Sequence, residues 1–201
     1  LGVTLAGDFL TLFLFWEIMA FSSVFLVWYR KIPSSVDSGF RYLLWHVIGG
    51  LILFSGIMIQ YSVSGDLSIQ YLPFHGWWPT DIQSLATFLI LIGFIVNAAV
   101  PPFGAWLPDA YPAATVTGAV FMSAFTTKTA VYALIRVCAG SEILIFLGVA
   151  MAIYGVVYAV LENDARRLLA YHIISQVGYM VAGTGLGTQM AINGVVAHAF
   201  C

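Results

Sequence analysis

Two ionisable side chains stand inside long apolar runs, where a charge is costly. Glu17 lies in TLFLFWEIMAF and Lys128 in SAFTTKTAVYALIR. An ionisable group near the centre of a membrane-spanning helix costs about 2.5–3.5 kcal/mol on insertion scales, and such groups are retained mainly for function. Because burial favours the neutral forms of both groups, each could gain and lose a proton. We interpret Glu17 as a proton gate and Lys128 as a proton carrier; the alternative is that each only ties helices together.

Further titratable or hydroxyl side chains recur inside the other apolar runs. One run carries polar residues at i, i+3, i+4 and i+7, which places them on one helix face; they are His172, Ser175, Gln176 and Tyr179. A single histidine or tyrosine in a bundle is more often a hydrogen-bond partner than a relay group. Nearly every run carries one, however, and that number favours a hydrated relay. The relay candidates are a stripe at i, i+4 and i+8 (Tyr154, Tyr158 and Glu162) together with His46, His172 and His198.

Composition excludes several classes of function. The 201 residues are 61% hydrophobic and only 8% charged, against roughly 25% charged in an average soluble domain, which indicates a membrane protein. A net charge of -2 without a basic patch argues against a nucleic-acid partner. Two cysteines and scattered histidines give no metal-ligand spacing, and no phosphate loop or nucleophile motif is present. We therefore expect no metal, no cofactor and no stand-alone enzyme.

The apolar runs predict the elements that position these residues. About 20 residues are needed to cross roughly 30 Å of hydrocarbon, and the runs that qualify are 9–29, 42–62, 113–136, 143–162 and 168–186, with another starting at 189–201. The predicted fold is all-α, a polytopic transmembrane helical bundle in a single domain, 1–201. Because apolar runs reach both ends, we read the sequence as an internal fragment of a longer chain.

Residues 85–111 predict a broken helix. The apolar stretch LATFLILIGFIVN has 13 residues and rises only about 20 Å. Pro101 and Pro102 follow it, remove backbone donors and force an extended turn. The segment would therefore cross as two half-helices joined near the middle of the bilayer, where irregular backbone is tolerated only against protein or a water-filled cavity.

Loop charges predict the orientation of the bundle. Lys and Arg gather on the cytoplasmic side of membrane proteins. With the broken segment counted as one crossing, loop 63–84 and Arg136 fall on one side, and five basic residues fall on the other: Arg30, Lys31, Arg41, Arg166 and Arg167. The expected location is the inner (plasma) membrane of a cell, as a multi-pass protein.

Three long motifs resemble one known family. FWEIMAFSS, PPFGAWLPDAYPAATVTGAVFMSAFTTKTAVYALIR and NDARRLLAYHIISQVGYM resemble, in order and spacing, the proton-conducting antiporter family. This family includes the antiporter-like subunits of respiratory complex I, related membrane-bound hydrogenases and Mrp-type cation/proton antiporters, and the form DAYPAATVTG looks closest to the Mrp D-type branch. The resemblance implies a fold of two inverted helical repeats, each with a broken helix, and partners that are other membrane subunits, the lipid bilayer, protons and Na⁺.

The resemblance also implies roles for particular residues. Glu17 and Lys128 match a gating glutamate and a proton-carrying lysine of the family, and His198 looks like the first histidine of a later helix. Asn97, at the predicted break, stands where the family has a lysine, and an asparagine cannot supply a positive charge. Three explanations are open: Lys128 pairs directly with Glu17, a cation such as Na⁺ binds beside Asn97, or this half is scaffold. We favour the first because it needs no added ion.

The sequence therefore predicts membrane ion transport. The expected function is a proton-translocating subunit of a multisubunit Na⁺(cation)/H⁺ antiporter that uses a buried Glu/Lys/His relay. One alternative is a proton-pumping subunit of a respiratory or hydrogenase complex, with redox cofactors held by other subunits. A second alternative is a transport-inactive structural subunit of such a complex.

Overall fold

The computed structural model describes residues 1–200, which form helices joined by loops. The elements are α1 Gly2–Leu5, α2 Phe9–Trp28, α3 Pro33–Ser64, α4 Ile82–Asn97, a 3-10 turn Phe103–Trp106, α5 Leu107–Ala113, α6 Val116–Cys138, α7 Glu142–Leu161, α8 Ala165–Leu186 and α9 Gln189–Phe200. Within residues 1–200 the only extended pairing is an isolated bridge between Asp8 and Ser68. The predicted all-α bundle with a broken helix is confirmed.

Four helices are long and apolar enough to cross a membrane: α2, α3, α6 and α7. α4 is shorter, with 16 residues, and rises about 24 Å, so it reaches across only together with the turn and α5 that follow it. α3 begins at Pro33 rather than at residue 42, because a proline at the first helical position starts a helix in the polar stretch before the apolar run. The chain is a multi-pass membrane protein.

Acidic residues outside the membrane runs begin several helices. Asp8 accepts a hydrogen bond from the Thr11 N–H at 2.7 Å, at the start of α2. Asp164 accepts from the N–H groups of Arg166 and Arg167 at 2.8 and 3.0 Å, at the start of α8. These backbone hydrogen bonds lower the pKa of Asp164. The two carboxylates therefore serve as helix caps, which satisfy N–H groups that the helix itself leaves free.

α7 and α8 pack against each other at backbone distance. A Cβ atom at Gly178 would lie 2.6 Å from the Ala152 nitrogen and 2.8 Å from the Gly148 carbonyl oxygen. Gly155 meets the backbone of Ser175 equally closely. The small residues let the two helices approach in the manner of small-residue interfaces in membranes, and this contact fixes the helix that carries His172.

We expect Lys31→Gly to stabilise the protein by about 1 kcal/mol, because Lys31 has a left-handed backbone, with φ 57°, that costs a non-glycine residue roughly 1–2 kcal/mol. Its side chain is exposed, so little packing is lost. Thermal melting of the detergent-solubilised protein measures the change. Lys31→Val is the control: a β-branched residue fits this backbone worse, and a higher melting temperature for valine than for glycine would contradict the account.

Candidate functional site

The Glu17 carboxylate packs against α3 at two adjacent glycines, Gly49 and Gly50, which we call the Gly49–Gly50 step. A Cβ atom at Gly50 would overlap the carboxylate of Glu17, and one at the adjacent Gly49 would lie 2.9 Å from Val96 and 3.7 Å from Oδ1 of Asn97. Because Gly49 and Gly50 are neighbours in one helix turn, Glu17 of α2 and Asn97 of α4 lie at the same depth on either side of α3. Glu17 therefore occupies the space that a side chain at Gly50 would fill, whereas Asn97 lies in ordinary contact with the Gly49 position.

Asn97 is fully buried and has no hydrogen-bond partner for either side-chain atom. It is the last residue of α4. The donors that would normally bond to the backbone carbonyls of Asn97 and Ala98 belong to Pro101 and Pro102, which have no N–H. The helix break therefore presents an amide side chain and two freed carbonyl groups.

The break itself is held by protein on both sides. Ala99 is fully buried and has φ 60°, a strained conformation for a residue with a Cβ atom. A Cβ atom at Gly104 would overlap the carbonyl of Ala99, so only glycine fits there. The Trp106 indole N–H donates to the Val96 carbonyl at 3.0 Å and so joins the two half-helices. Backbone strain of this kind collects at functional sites.

Buried polar atoms without partners concentrate around this break. Five of the seven such atoms in residues 1–200 belong to four side chains: Trp16, Glu17, His46 and both amide atoms of Asn97. Trp16 packs on Phe94, one turn before Asn97, with ring centroids 5.2 Å apart. Buried polar groups in native proteins almost always have partners, including water. We define these four side chains as the break cluster.

His46 adds an acceptor to the break cluster. Its Nδ1 lies 2.9 Å from the Tyr42 carbonyl oxygen, which can only accept, so Nδ1 carries the proton and Nε2 of the neutral ring has a free lone pair. The ring is fully buried; its centroid lies 4.0 Å from that of Tyr42, with the planes tilted, and 4.6 Å from that of Trp106, edge-on. Since His46 and Gly50 are one helical turn apart on α3, His46 lies on the same face as the Glu17 contact.

Lys128 lies in a second cluster. A cavity of about 320 Å³ is lined by Lys128 from α6, His172 and Gln176 from α8, and His198 from α9, with apolar neighbours. A larger groove of about 600 Å³ shares Lys128 and His172 and continues past Tyr111, Ser123 and Arg166. Both spaces are wide enough for several waters. We call the four side chains Lys128, His172, Gln176 and His198 the lysine cluster.

Buried hydroxyl groups lie between the two clusters. The Tyr42 phenol, next to His46, is 2.6 Å from Oγ of Ser23 in α2. Tyr111, which lines the larger groove, donates to the Met122 carbonyl at 2.9 Å. The Thr126 side chain lies beside both phenols. Hydroxyl groups both donate and accept hydrogen bonds, so this set offers a polar path from the break cluster to the groove of Lys128.

Arginines hold α5 at both ends, at Asp109 in its first turn and at Pro112 near its C-terminus. Arg30 and Arg166 both donate to the Pro112 carbonyl, at 2.7 and 3.0 Å. Arg41 forms a two-point ion pair with Asp109, at 2.7 and 3.0 Å. Positive charges at the C-terminal end of a helix complement its dipole. These contacts connect the second half of the broken helix to α3 and α8.

Comparison with known proteins places this arrangement in a family. Residues 6–201 match the family model described as NADH:quinone oxidoreductase/Mrp antiporter, TM. The chain belongs to this family. It is 30% identical over 209 residues to the D subunit of the Na(+)/H(+) antiporter of Alkalihalophilus pseudofirmus, and the match covers 98% of the chain. The chain spans 42% of the length of that relative.

Solved structures of antiporter-family complexes share the fold. A chain of the Mrp complex from Dietzia sp. matches with a TM-score of 0.88 at 28% identity, over 98% of this chain and 39% of the other. A chain of the membrane-bound sulfane sulfur reductase, an archaeal respiratory membrane complex, matches with the same TM-score and identity, over 98% and 43%. The predicted family membership, on the Mrp and complex I side, is therefore confirmed.

In this antiporter-family chain, Glu17 and Lys128 do not form the direct pair that we favoured. The ion pairs found among residues 1–200 are Arg41–Asp109 and Arg167–Glu162. Glu17 faces α3, whereas Lys128 faces α8 and α9. The first explanation for the missing lysine is therefore wrong for this conformation, since the two helices turn these side chains toward different neighbours.

Of the remaining predicted relay residues, the three histidines lie near one of the two clusters, and Tyr154, Tyr158 and Glu162 do not. His172 and His198 line the cavity of Lys128, and His46 lies one helical turn from Gly50, the residue that Glu17 contacts. Tyr154 and Tyr158 instead contact each other, with ring centroids 4.6 Å apart, and both contact Tyr171, on which Tyr158 stacks. Glu162 pairs with Arg167 at 3.3 Å beside the loop. On the predicted polar stripe of α8, Ser175 is fully buried with its hydroxyl unpaired, away from the exposed His172 and Tyr179.

Sequence reasoning missed the residues that shape the break cluster. Gly49 and Gly50 create its space, Trp106 ties the half-helices together, and Trp16 contributes a buried donor. A Gly-Gly pair inside the apolar run LLWHVIGGLILF was the available signal, because adjacent glycines in a membrane helix mark a close approach. Among residues 1–200, no three His, Cys, Asp or Glu side chains gather into a metal-binding group.

Proposed function

We propose that this chain belongs to a proton-translocating subunit of a multisubunit Na⁺(cation)/H⁺ antiporter. The observation that carries the proposal is the gathering of Lys128, His172 and His198 around one cavity between membrane helices. A lysine without a carboxylate partner, beside two imidazoles in a space large enough for water, can receive and pass on a proton. The relative from Alkalihalophilus pseudofirmus is an Na(+)/H(+) antiporter component, which supports the same assignment.

We assign Glu17 the role of gate at the other end of the path. Protonated, the carboxyl group is neutral and suits its half-buried position; ionised, it needs a compensating charge or donor. The hydroxyl groups of Tyr42, Ser23 and Thr126 would carry protons, through bridging waters, between Glu17 and Lys128. His46 is the first acceptor on this path, and His172 and His198 continue it from Lys128. Tyr154, Tyr158 and Glu162 remain relay candidates of lower rank, because they face the loop-side end of α7.

The assembly belongs to the proposal as well. The partners would be other membrane subunits, as the multisubunit complexes of the structural neighbours indicate, and the location would be the plasma membrane. Na⁺ would be the exchanged cation. Arg30, Arg41 and Arg166 would transmit movement of α5 to the neighbouring helices that carry the two clusters.

Glu17→Gln is expected to reduce antiport to background in everted vesicles that contain the assembled complex. The amide keeps the shape of the carboxyl group but cannot release or bind the proton, so the gate is lost. Proton flux on addition of Na⁺, followed with a pH-sensitive dye, measures the effect. The matched control is Glu142→Gln, which removes a carboxylate from an exposed site at the start of α7 and should leave flux unchanged. Full flux in an assembled Glu17→Gln complex would disprove the gating role.

One neighbouring structure favours a second candidate function. The sulfane sulfur reductase is an archaeal respiratory membrane complex and matches as well as the Mrp complex does. A pumping subunit of a redox-driven complex would use the same relay, with electron carriers in other subunits. Proton release by the purified complex on addition of a reductant, without Na⁺, would favour this candidate. Neither activity in a complex that still assembles would favour the third reading, a structural subunit.

A further inference from the structure

We infer that a cavity between α5, α7, α8 and the α2–α3 loop binds the headgroup of an anionic phospholipid. The cavity has a volume of about 400 Å³, and we call it the arginine pocket. Its polar lining consists of Arg30, Ser34, Asp109, Tyr154, Arg167 and Tyr171. The inference goes beyond the proposed function, because lipid binding at this place does not depend on ion transport.

The arginine pocket lies where membrane-spanning helices end. α2 and α7 are both long and apolar enough to cross a membrane. α2 ends shortly before Arg30, and α7 ends shortly before Arg167. Ile153 and Val157, which flank Tyr154 on α7, are exposed and face hydrocarbon in a membrane. The pocket therefore extends from the level of the lipid headgroups, at the two arginines, to the start of the acyl chains, at Tyr154.

The carboxylates around the pocket are already paired, whereas Arg30 is not. Asp109 forms its two-point ion pair with Arg41, at 2.7 and 3.0 Å, and Glu162 pairs with Arg167 at 3.3 Å. Within residues 1–200 no carboxylate lies within ion-pairing distance of Arg30. The pocket therefore keeps a positive charge that is not neutralised, and this charge attracts an anion.

A second arginine adds positive charge behind Arg30. Arg166 donates to the same Pro112 carbonyl oxygen, at 3.0 Å against 2.7 Å for Arg30, so the two guanidinium groups lie next to each other. Arg166 has no carboxylate within ion-pairing distance in the described residues either. Asp37 and Asp164, the other carboxylates near this end of the bundle, do not line the pocket. Because adjacent like charges repel, an anion bound at Arg30 stabilises the pair.

The free donors of the pocket suit a phosphate group. A guanidinium group has five N–H donors in a planar fork that matches phosphate oxygens. Arg30 uses one of its donors on Pro112, and Arg167 contacts Glu162 through Nε, which leaves its two terminal NH₂ groups. Hydroxyl groups on the same wall, including that of Tyr154, can donate to the remaining oxygens. The cavity is in the size range of small-molecule sites and accommodates a glycerophosphate.

The bilayer is the source of this phosphate. The loop charges, five basic residues against one, predict that the pocket faces the cytoplasmic leaflet, where anionic lipids concentrate. Basic pockets between membrane helices at this level bind anionic headgroups. A free phosphate would use the same donors but would gain nothing from the exposed apolar side chains of α7. A bound lipid would connect α5 to α8 and to the end of α2.

The test asks whether an anionic lipid stabilises the folded protein. The full-length protein in its complex is delipidated in detergent and melted with increasing phosphatidylglycerol, with phosphatidylcholine of the same acyl chains, or with inorganic phosphate. A ligand that binds the folded state raises the melting temperature with saturation, and we expect such a rise with phosphatidylglycerol alone. Equal rises with both lipids overturn the anionic headgroup, and an equal rise with inorganic phosphate overturns the lipid as its source.

Arg30→Gln tests the pocket itself. The glutamine removes the charge but keeps an N–H donor for Pro112, so the half-saturating concentration of phosphatidylglycerol should rise about tenfold or more, the effect of losing one charge-assisted contact. Lys31→Gln is the matched control, because it removes the same charge from the next residue, which is exposed and outside the pocket; it should respond as the wild type does. The same half-saturating concentration in both variants overturns the inference.

Ser34→Glu gives the pocket an anion from the protein itself. Ser34 lines the pocket from the first turn of α3, where a carboxylate also complements the helix dipole. In lipid-free detergent this variant should melt at or above the temperature of the wild type, and its response to phosphatidylglycerol should be lost because the carboxylate occupies the arginine. A full lipid response in Ser34→Glu overturns the inference, even where Arg30→Gln does not fold.

Discussion

Lys128→Ala is expected to abolish proton translocation and to leave the fold intact. The lysine is the one cationic group that shares a cavity with both His172 and His198 within residues 1–200, so its loss removes the proton carrier between them. Removing a positioned proton-transfer group typically costs about 10²–10⁴ in rate. Flux in everted vesicles should therefore fall at least about a hundredfold.

Stability should move in the opposite direction from activity. Lys128 is half-buried and has no carboxylate within ion-pairing distance in residues 1–200, so its ammonium group opposes burial rather than supporting the fold. The melting temperature of Lys128→Ala should equal or exceed that of the wild type. Lys31→Ala is the control, since it removes the only other lysine of the chain from an exposed loop and should keep full flux. A destabilised Lys128→Ala would mean that the lysine holds the bundle together.

Lys128→Arg separates charge from proton exchange. A guanidinium group stays protonated at all accessible pH values, whereas a lysine in a buried site exchanges its proton readily. The arginine variant should therefore keep the positive charge and still lose flux. Equal flux in both proteins would indicate that Lys128 acts only through its charge.

Much of the fold could be predicted from local pattern because membrane helices obey a simple rule. A bilayer satisfies no backbone hydrogen bonds, so every long apolar run must be helical, and adjacent prolines must break the helix in which they occur. These two constraints placed α2, α6 and α7 and the break after Asn97 without knowledge of the packing. The start of α3 at Pro33 was missed, since its first turns are polar and give no hydrophobic signal.

The candidate site was harder to predict because it depends on which neighbouring helix each side chain faces. Glu17 and Lys128 were both visible as charges in apolar runs, but nothing local says that one faces α3 and the other faces α8 and α9. The stripe on α8 shows the same limit: His172 and Gln176 line the cavity with Lys128, while Ser175 is turned into the bundle. Helical spacing gives a shared face only within about a turn, and tertiary packing decides the rest.

The break cluster shows what replaces a positively charged side chain at the helix break. Asn97 appeared in the sequence as a lost positive charge. In the structure it ends α4 beside the Gly49–Gly50 step, with both amide atoms unpaired. The position therefore keeps a buried polar group at the helix break although it carries no charge.

Gly178→Leu is expected to unfold the α7–α8 pair and to remove activity with it. A Cβ atom at Gly178 would lie 2.6 Å from the Ala152 nitrogen and 2.8 Å from the Gly148 carbonyl, and backbone atoms cannot rotate away as a flexible side chain can. The helices must separate, which breaks contacts along their whole length. Overpacking typically costs 1–3 kcal/mol, and we expect about 3 kcal/mol or more here, measured by thermal melting in detergent.

The sign of this effect distinguishes packing from helix propensity. Leucine is a better helix former than glycine by about 1 kcal/mol, so a helix without close neighbours should be stabilised by the substitution. Gly194 on α9 has nothing within 4 Å of its Cβ position, and Gly194→Leu should leave the melting temperature unchanged or raise it. Gly178→Ala should fall between the two, because its single methyl group already meets the backbone of α7. If Gly178→Leu had the same melting temperature as Gly194→Leu, the result would contradict the close α7–α8 contact that holds His172 opposite Lys128.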